Sequence, residues 1–372
     1  MHQKMIVPDD LQERLCEILQ EYEIKNVMWV LGSSFRSQKL YERLKAVFEC
    51  CNVVEFLDFE PNPTYESIVT GVNCFHRNNC DFIIATGGGS AIDVAKCIKV
   101  FSNMDAQKSY LAQPIVENRI PFMAIPTTAG TGSEATEFAV IYDRGVKRSV
   151  AHKSCMPQYV TLDATLLESL PVYQRKATMM DAFCHAVESF WSVNSTELSK
   201  EYSKKALLLI LEAKDGYLDN DMEGNKLMLE AANLAGKAIN ITRTTAGHAM
   251  CYKLTGLYGI SHGHAAALCV QTLWRYMLSH TGKCVDKRGK DYLQSVFMEL
   301  AELMGYQKAE EAVDKFDHIM MNLGLDLTDA GVKESDLNLL CASVNEERLK
   351  NNPVELTSSD IKELYMKILE KC

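Results

Sequence analysis

The feature that most narrows the fold is a rhythm in the first half of the chain, where short apolar runs alternate with amphipathic stretches. Val27 to Leu31, Val53 to Phe56, Phe82 to Thr86 and Phe122 to Ile125 read as buried strands. Leu40 to Phe48 and Tyr65 to Phe75 lie between them with helical spacing, long enough for the crossovers that parallel pairing requires. The chain therefore reads as α/β, with a parallel sheet, up to about Asp163. After Leu170-Pro171 the pattern changes: Met179 to Trp191, Glu201 to Leu211 and Leu227 to Ile241 have helical spacing and no β-branched runs. With 372 residues there is chain enough for two cores. The expected division is an α/β domain over 1–165 and an all-α domain over 166–372, packed across a cleft.

A formal charge of -10 argues against a phosphate-backbone partner, so no nucleic acid is expected and a small molecule is. The 13 cysteines form no C-x-x-C pair and read as reduced thiols of a cytoplasmic protein. Met1-His2-Gln3-Lys4 leads into a polar helical segment, and no stretch approaches a membrane span, so neither secretion nor a membrane is expected.

The run Phe82 to Thr86 leads into Gly87-Gly88-Gly89-Ser90 and then into a helical pattern through Asp93. Glycines allow close approach of backbone to an anion, and a helix N-terminus presents N–H groups and a positive dipole end to it. Ser90 and Asp93 fit a ligand-free capping box equally well. The spacing is not G-x-G-x-x-G. A second loop tips the balance: Phe122 to Ile125 leads into Pro126-Thr127-Thr128-Ala129-Gly130-Thr131-Gly132-Ser133. Both loops should leave the carboxyl edge of one sheet, where dinucleotides bind.

Asp181 and His185 are four residues apart in a helical stretch and share a face, a geometry that serves a metal or an ordinary ion pair. Thr244-Thr245-Ala246-Gly247-His248 and Gly259-Ile260-Ser261-His262-Gly263-His264 add imidazoles among small residues. One carboxylate and three imidazoles suffice for four-coordination. Without a thiolate the set suits Fe2+, Zn2+, Mn2+ or Co2+, with iron or zinc expected, acting as Lewis acid on a carbonyl oxygen.

These loops and ligands, in this order, resemble the iron-dependent (group III) alcohol dehydrogenases over nearly the whole chain. The resemblance implies an N-terminal α/β dinucleotide-binding domain and an all-α C-terminal metal-binding domain, an NAD(P)H cofactor and a homodimer. It places the cofactor on Gly32, Ser33, Asn62, Gly87, Gly88, Gly89, Ser90, Asp93, Thr127, Thr128, Thr131 and Lys147, and the metal on Asp181, His185, His248 and His262.

Three departures from the family pattern bear on chemistry. Where many members carry a histidine four residues after His248, this chain has Tyr252, a candidate proton donor, with water or simple packing as alternatives. Leu31-Gly32-Ser33-Ser34-Phe35-Arg36 lacks the acidic residue of NAD-preferring members, and its hydroxyls plus Arg36 leave room for a 2′-phosphate. Arg243, in Ile241-Thr242-Arg243-Thr244-Thr245, is a candidate for binding an oxyanion, or else a surface ion pair. The whole run from Phe138-Ala139-Val140-Ile141-Tyr142 through Trp191-Ser192-Val193-Asn194-Ser195-Thr196 resembles the phosphonoacetaldehyde reductase subgroup, with sulfoacetaldehyde reductases as the nearest rival. The expected reaction is NAD(P)H-linked reduction of a small anionic aldehyde to a primary alcohol. A general short-chain alcohol dehydrogenase, a lyase like dehydroquinate synthase and a non-catalytic nucleotide sensor are the alternatives.

Overall fold

The computed structural model describes residues 3–327, 333–344 and 346–370. The chain divides into two compact units, Met1–Leu170 and Pro171–Cys372.

In the first unit the strands are β1 (Lys4–Ile6), β2 (Asn26–Leu31), β3 (Asn52–Phe56), β4 (Phe82–Gly87), β5 (Phe122–Pro126), β6 (Phe138–Asp143), β7 (Val146–Ala151) and β8 (Tyr159–Thr161). The helices are α1 (Leu11–Glu21), α2 (Lys39–Val47), α3 (Tyr65–Arg77) and α4 (Gly89–Phe101). Six strands form one sheet in the order β1-β8-β5-β4-β2-β3, every neighbouring pair parallel. The two-residue side-chain period of a strand explains the two cores. Val27, Trp29 and Leu31 of β2 face one way, with Phe82 and Ile84 of β4, onto Leu11, Leu15 and Leu44. Met28 and Val30 face the other way, with Ile83 and Ala85, onto α3 and α4 through Ile68, Val72, Ile92 and Ala95. Each such apolar side chain contributes roughly 1.5–3 kcal/mol, which is why these runs carry no polar alternation.

The four strands expected from sequence are present, each extended by a residue or so. Three elements were not foreseen. Lys4–Ile6 forms an edge strand on β8, so the expected polar helical segment begins only at Leu11; Met1 and His2 lie outside the described residues. Strands as short as β1 and β8 carry too few residues to show a period. Strands β6 and β7 form a separate antiparallel hairpin, whose turn places Arg144 and Gly145 at φ 50° and 77°, the primed-turn geometry of two-residue hairpins.

The second unit is helical: α5 (Val172–Trp191), α6 (Glu197–Leu218), α7 (Met222–Thr242), α8 (Ala246–Tyr258), α9 (His262–Ser279), α10 (Lys290–Leu303), α11 (Ala309–Leu323), α12 (Leu337–Ala342), α13 (Glu346–Leu349) and α14 (Ser358–Leu369). Helix α5 packs against α6, α7, α9 and α10. It is buried continuously from Met179 to Trp191, as a helix surrounded by others must be. Its polar residues therefore need partners, and those partners form the candidate site. No described helix is long and apolar enough to cross a membrane, and the twelve described cysteines are free thiols.

Candidate metal centre and nucleotide loops

At the carboxyl ends of the parallel strands, three turns of the first unit come together. Gly32 N–H donates to Thr86 O at 2.8 Å and Thr127 N–H to Gly87 O at 3.0 Å, tying the ends of β2, β4 and β5. A Cβ on Gly87 would stand 2.6 Å from Ala91 Cβ; on Gly88, 3.2 Å from Thr128; on Gly89, 2.9 Å from Thr131. Gly88 and Gly89 are needed because the second loop lies against them, and Gly87 because α4 and Gly32 do. Helix α4 starts at Gly89 with Gly88 as N-cap and no side-chain cap, so the capping box between Ser90 and Asp93 does not form. Ser90 Oγ instead accepts from Asn62 N–H at 3.4 Å, and Asn62 holds φ 61°. The first-turn amides of α4 are thus left for water or an anion.

Asp93 faces protein. Its Oδ1 accepts from Ser133 Oγ at 2.6 Å and its Oδ2 from Val140 N–H at 2.9 Å, with buried Lys96 at 3.9 Å. Burial pushes its carboxyl up, against the pull of Lys96, Ser133, Val140 and Lys147. Lys147 stands on β7 opposite Tyr142. Ser33 is exposed just after β2. Arg36 is not an unengaged cation: its Nε donates to Glu55 Oε2 at 2.9 Å, while Tyr41 holds Glu55 Oε1 at 2.6 Å.

In the second unit Asp181 and His185 project from α5, His248 from the first turn of α8, and His262 opens α9. The ligand atoms of Asp181, His248 and His262 all lie within 4.8 Å of one another. Asp181 Oδ1 is 3.4 Å from His248 Nε2, 3.8 Å from His185 Nε2 and 3.9 Å from His262 Nε2. The His185 ring stacks on His248, centroids 4.5 Å apart. Asp181, His248 and His262 are thus brought together, with His185 beside Asp181 and His248 but outside that mutual group. Two glycines permit it: a Cβ on Gly263 would meet Ala177 O at 2.0 Å, and one on Gly247 would meet Val270 at 2.5 Å and Glu188 at 3.0 Å.

Electrostatics decide what this cluster suits. Burial alone would raise the Asp181 carboxyl, yet His185, His248 and His262 hold it well below the usual carboxylate range. Burial opposes charge on His248, but Glu188 and Asp181 on either side raise it to about 9. Two buried carboxylates converging on imidazole nitrogens form a cage that gains from a cation at its centre. The side chains of Asp181 and His248 are 3% and 2% exposed and that of His262 is 35% exposed, so the cluster opens on the His262 side.

Two residues near the cluster were not singled out from sequence. Glu188, fully buried on α5, contacts His248 Nδ1 and accepts from His248 N–H at 3.3 Å, Thr245 N–H at 3.1 Å and Thr245 Oγ1 at 2.5 Å. A carboxylate on Nδ1 orients the ring, so that Nε2 faces Asp181 and would exchange its proton for a metal ion. Positions 181, 185 and 188 share one helical face, so that spacing was a usable signal. Arg348, on one-turn α13, bonds Tyr252 Oη, and the Tyr252 ring stacks on His262 with centroids 5.5 Å apart. Nothing in the sequence around position 348 marks it. Arg243 caps α7 at φ 60° and ψ 170°, a region essentially reserved for glycine, with its N–H on Ile239 O at 2.8 Å.

Residues 3–164 match iron-containing alcohol dehydrogenase, and residues 176–369 match the C-terminal part of the Fe-containing alcohol dehydrogenase family. The chain belongs to the iron-containing alcohol dehydrogenase family. As a member, it is a metal-dependent, NAD(P)-linked oxidoreductase, which removes the lyase and sensor alternatives. It is 29% identical to alcohol dehydrogenase 4 of Schizosaccharomyces pombe over 354 residues, 92% of this chain and 82% of that one. It is 31% identical to phosphonoacetaldehyde reductase of Streptomyces viridochromogenes over 309 residues, 79% of this chain and 77% of that one. A crystal structure of sulfoacetaldehyde reductase from Bifidobacterium kashiwanohense in complex with NAD+ is similar with a TM-score of 0.88 and 25% identity, covering 100% of this chain and 98% of that one. These dehydrogenase relatives agree on the class of reaction and differ in substrate.

Proposed function

We propose that this enzyme reduces a small aldehyde bearing a terminal tetrahedral anion to the corresponding primary alcohol, with sulfoacetaldehyde ahead of phosphonoacetaldehyde. The reaction class rests on one observation: a cluster of Asp181, His248 and His262, with His185 3.8 Å from Asp181 and no thiolate, most exposed at His262. The substrate class is supported by likeness to the two reductases just described, of which the sulfoacetaldehyde enzyme is matched over the whole chain.

Asp181, His185, His248 and His262 hold the divalent ion, and the donor set suits Fe2+, Zn2+ or Mn2+. When bound, the ion supplies a Lewis acid for the carbonyl oxygen and the reduced nicotinamide supplies hydride. Glu188 holds His248 through Nδ1, so that Nε2, on the Asp181 side, is the nitrogen that would face the ion. Tyr252 stands beside the open side and holds a proton at Oη for the nascent alcohol; Arg348 donates to that oxygen, which turns the phenol proton away from the guanidinium. In the first unit the glycine turn and the α4 N-terminus bind the pyrophosphate, with Gly32, Ser33, Asn62, Thr127, Thr128, Thr131 and Lys147 around it. Asp93 acts there by holding the second loop through Ser133. The Arg36–Glu55 pair favours NADH over NADPH, because a cation already neutralised gains little from a 2′-phosphate. The homodimer is carried over from the family resemblance and is checked by light scattering.

The test is NADH and NADPH oxidation by metal-loaded enzyme with sulfoacetaldehyde, phosphonoacetaldehyde and propionaldehyde. The expected result is a kcat/KM at least ~10-fold higher for an anionic aldehyde, the order of one charge-assisted hydrogen bond. A preference for propionaldehyde would leave the dehydrogenase class standing and remove the substrate proposal.

A further inference from the structure

Arg348 occupies the open flank of the metal cluster with part of its hydrogen-bonding capacity unfilled. Its Nη1 donates to Thr244 Oγ1 at 3.2 Å and to Tyr252 Oη, and its Cζ lies 5.1 Å from the Tyr252 ring centre. Tyr252 in turn lies parallel to His262. Both partners of the guanidinium are neutral hydroxyls, and among the described residues no carboxylate lies within ion-pair distance of it. Four other arginines are closed by acceptors: Arg36 by Glu55, Arg275 by Asp314 and Asp317, Arg288 by Asp286, and buried Arg175 by Tyr217 O and Asn225 Oδ1.

A guanidinium carries five N–H donors in a planar fork. At Arg348 only those on Nη1 are engaged, and the Nε and Nη2 edge, the one that takes an oxyanion bidentately, has no protein acceptor among the described residues. The side chain is half-buried, so its partial loss of hydration is not offset by a fixed counter-charge. Its position is nonetheless held. Asn351 N–H donates to Arg348 O at 3.3 Å, Asn351 Nδ2 donates to Thr244 O at 3.1 Å, and Asn194 Nδ2 donates to Asn351 Oδ1 at 3.0 Å. A pre-positioned fork with an unfilled edge, beside the open side of a carbonyl-polarising centre, is what recognition of a short substrate with an anionic tail requires.

We propose that Arg348, with the Thr244 hydroxyl, receives the terminal oxyanion of the substrate, a sulfonate or a phosphonate, and sets selectivity against neutral aldehydes. This rests on the site being that of a small-aldehyde reductase, and it gives to Arg348 the role that sequence reasoning gave to Arg243.

The experiment compares wild type with Arg348→Met, Arg348→Lys and Tyr252→Phe. One readout is the ratio of kcat/KM for sulfoacetaldehyde, and separately for phosphonoacetaldehyde, to that for propionaldehyde. The other is calorimetric binding of ethanesulfonate and ethylphosphonate. Arg348→Met should lower the ratio ~10–100-fold, mainly through KM, with anion binding weakened in parallel. Arg348→Lys should recover part of it, since a point charge replaces the fork. Tyr252→Phe, which removes a hydrogen bond of Arg348 but keeps its charge, should retain most of the ratio. The arm with the larger fall identifies which oxyanion the site prefers. An unchanged ratio in Arg348→Met, or an equal fall in Tyr252→Phe, would overturn the assignment. If wild type shows no preference for anionic aldehydes, the substrate reading fails by itself, and calorimetry decides Arg348: ethanesulfonate binding lost in Arg348→Met supports an anion site, and no binding to wild type refutes it.

Discussion

At the ends of β4 and β5 the chain offers a ligand backbone amides, hydroxyls and bare glycine surface, whereas in α5, α8 and α9 it offers buried charge. The first arrangement carries little strain without its ligand, because exposed first-turn amides of α4 are solvated by water. The second is under electrostatic load: Asp181 and Glu188 are both buried, and Asp181 is surrounded by imidazoles that its own charge tends to protonate. Binding should therefore couple weakly to stability in the first unit and strongly in the second.

The largest break of that contrast comes from Asp181→Ala, which removes the atom that His185, His248 and His262 all face. Metal content by elemental analysis should fall to background and aldehyde reduction by ~10³-fold or more, the order expected when the group aligned with developing charge is lost; retention of stoichiometric metal would refute the ligand assignment. Next is Glu188→Gln, nearly the same shape without the charge. Metal affinity, measured by competition with a chelator, should weaken ~10–100-fold, while dinucleotide affinity stays as it was. Equal metal affinity would mean that Glu188 is packing alone.

A pair of glycine changes sharpens the same comparison. Gly263→Ala drives a methyl into Ala177 O on α5 and should cost ~1–3 kcal/mol in unfolding free energy, with loss of metal because His262 moves with it. Gly88→Ala meets only Thr128, at 3.2 Å, and should lower nucleotide affinity with a smaller change in stability. Both losses being alike in denaturant melts would erase the distinction.

The smallest effect is in pH. In the metal-free protein His248 has its pKa raised to about 9, so its stabilising contribution is complete below the unfolded value of roughly 6.5 and is lost as pH rises through about 9. Asp181 is depressed, so its contribution is complete above roughly 4 and is lost as pH falls through its folded value. Thermal melts of metal-free protein should be highest between those limits and decline from pH 6.5 to 9. With metal in place of the proton the decline should vanish or reverse. A metal-free Tm that rises across that window would contradict the charge arrangement.

Much of this was legible in the chain itself. Runs such as Phe82 to Thr86 lie buried on both faces, so their hydrophobicity alone marks central parallel strands; the glycine turn follows one directly, so a local motif announced a local site. Asp181 and His185 are a local pair as well. What a linear reading could not supply were features whose partners lie far along the chain. Whether Ser90 caps its helix depended on the helix starting at Gly89, which puts Ser90 inside the first turn with Asn62 N–H on its hydroxyl. Whether Arg36 is an unengaged cation depended on Glu55 of the neighbouring strand. That Arg348 stands beside Tyr252 depended on a one-turn helix docking against α8. Local periodicity and motif spacing determined the elements and most of the ligands because those depend on neighbours in sequence. The tertiary structure alone decided which charges meet, because Coulomb and hydrogen-bond partners are chosen by distance in space, and burial determines how much each meeting matters.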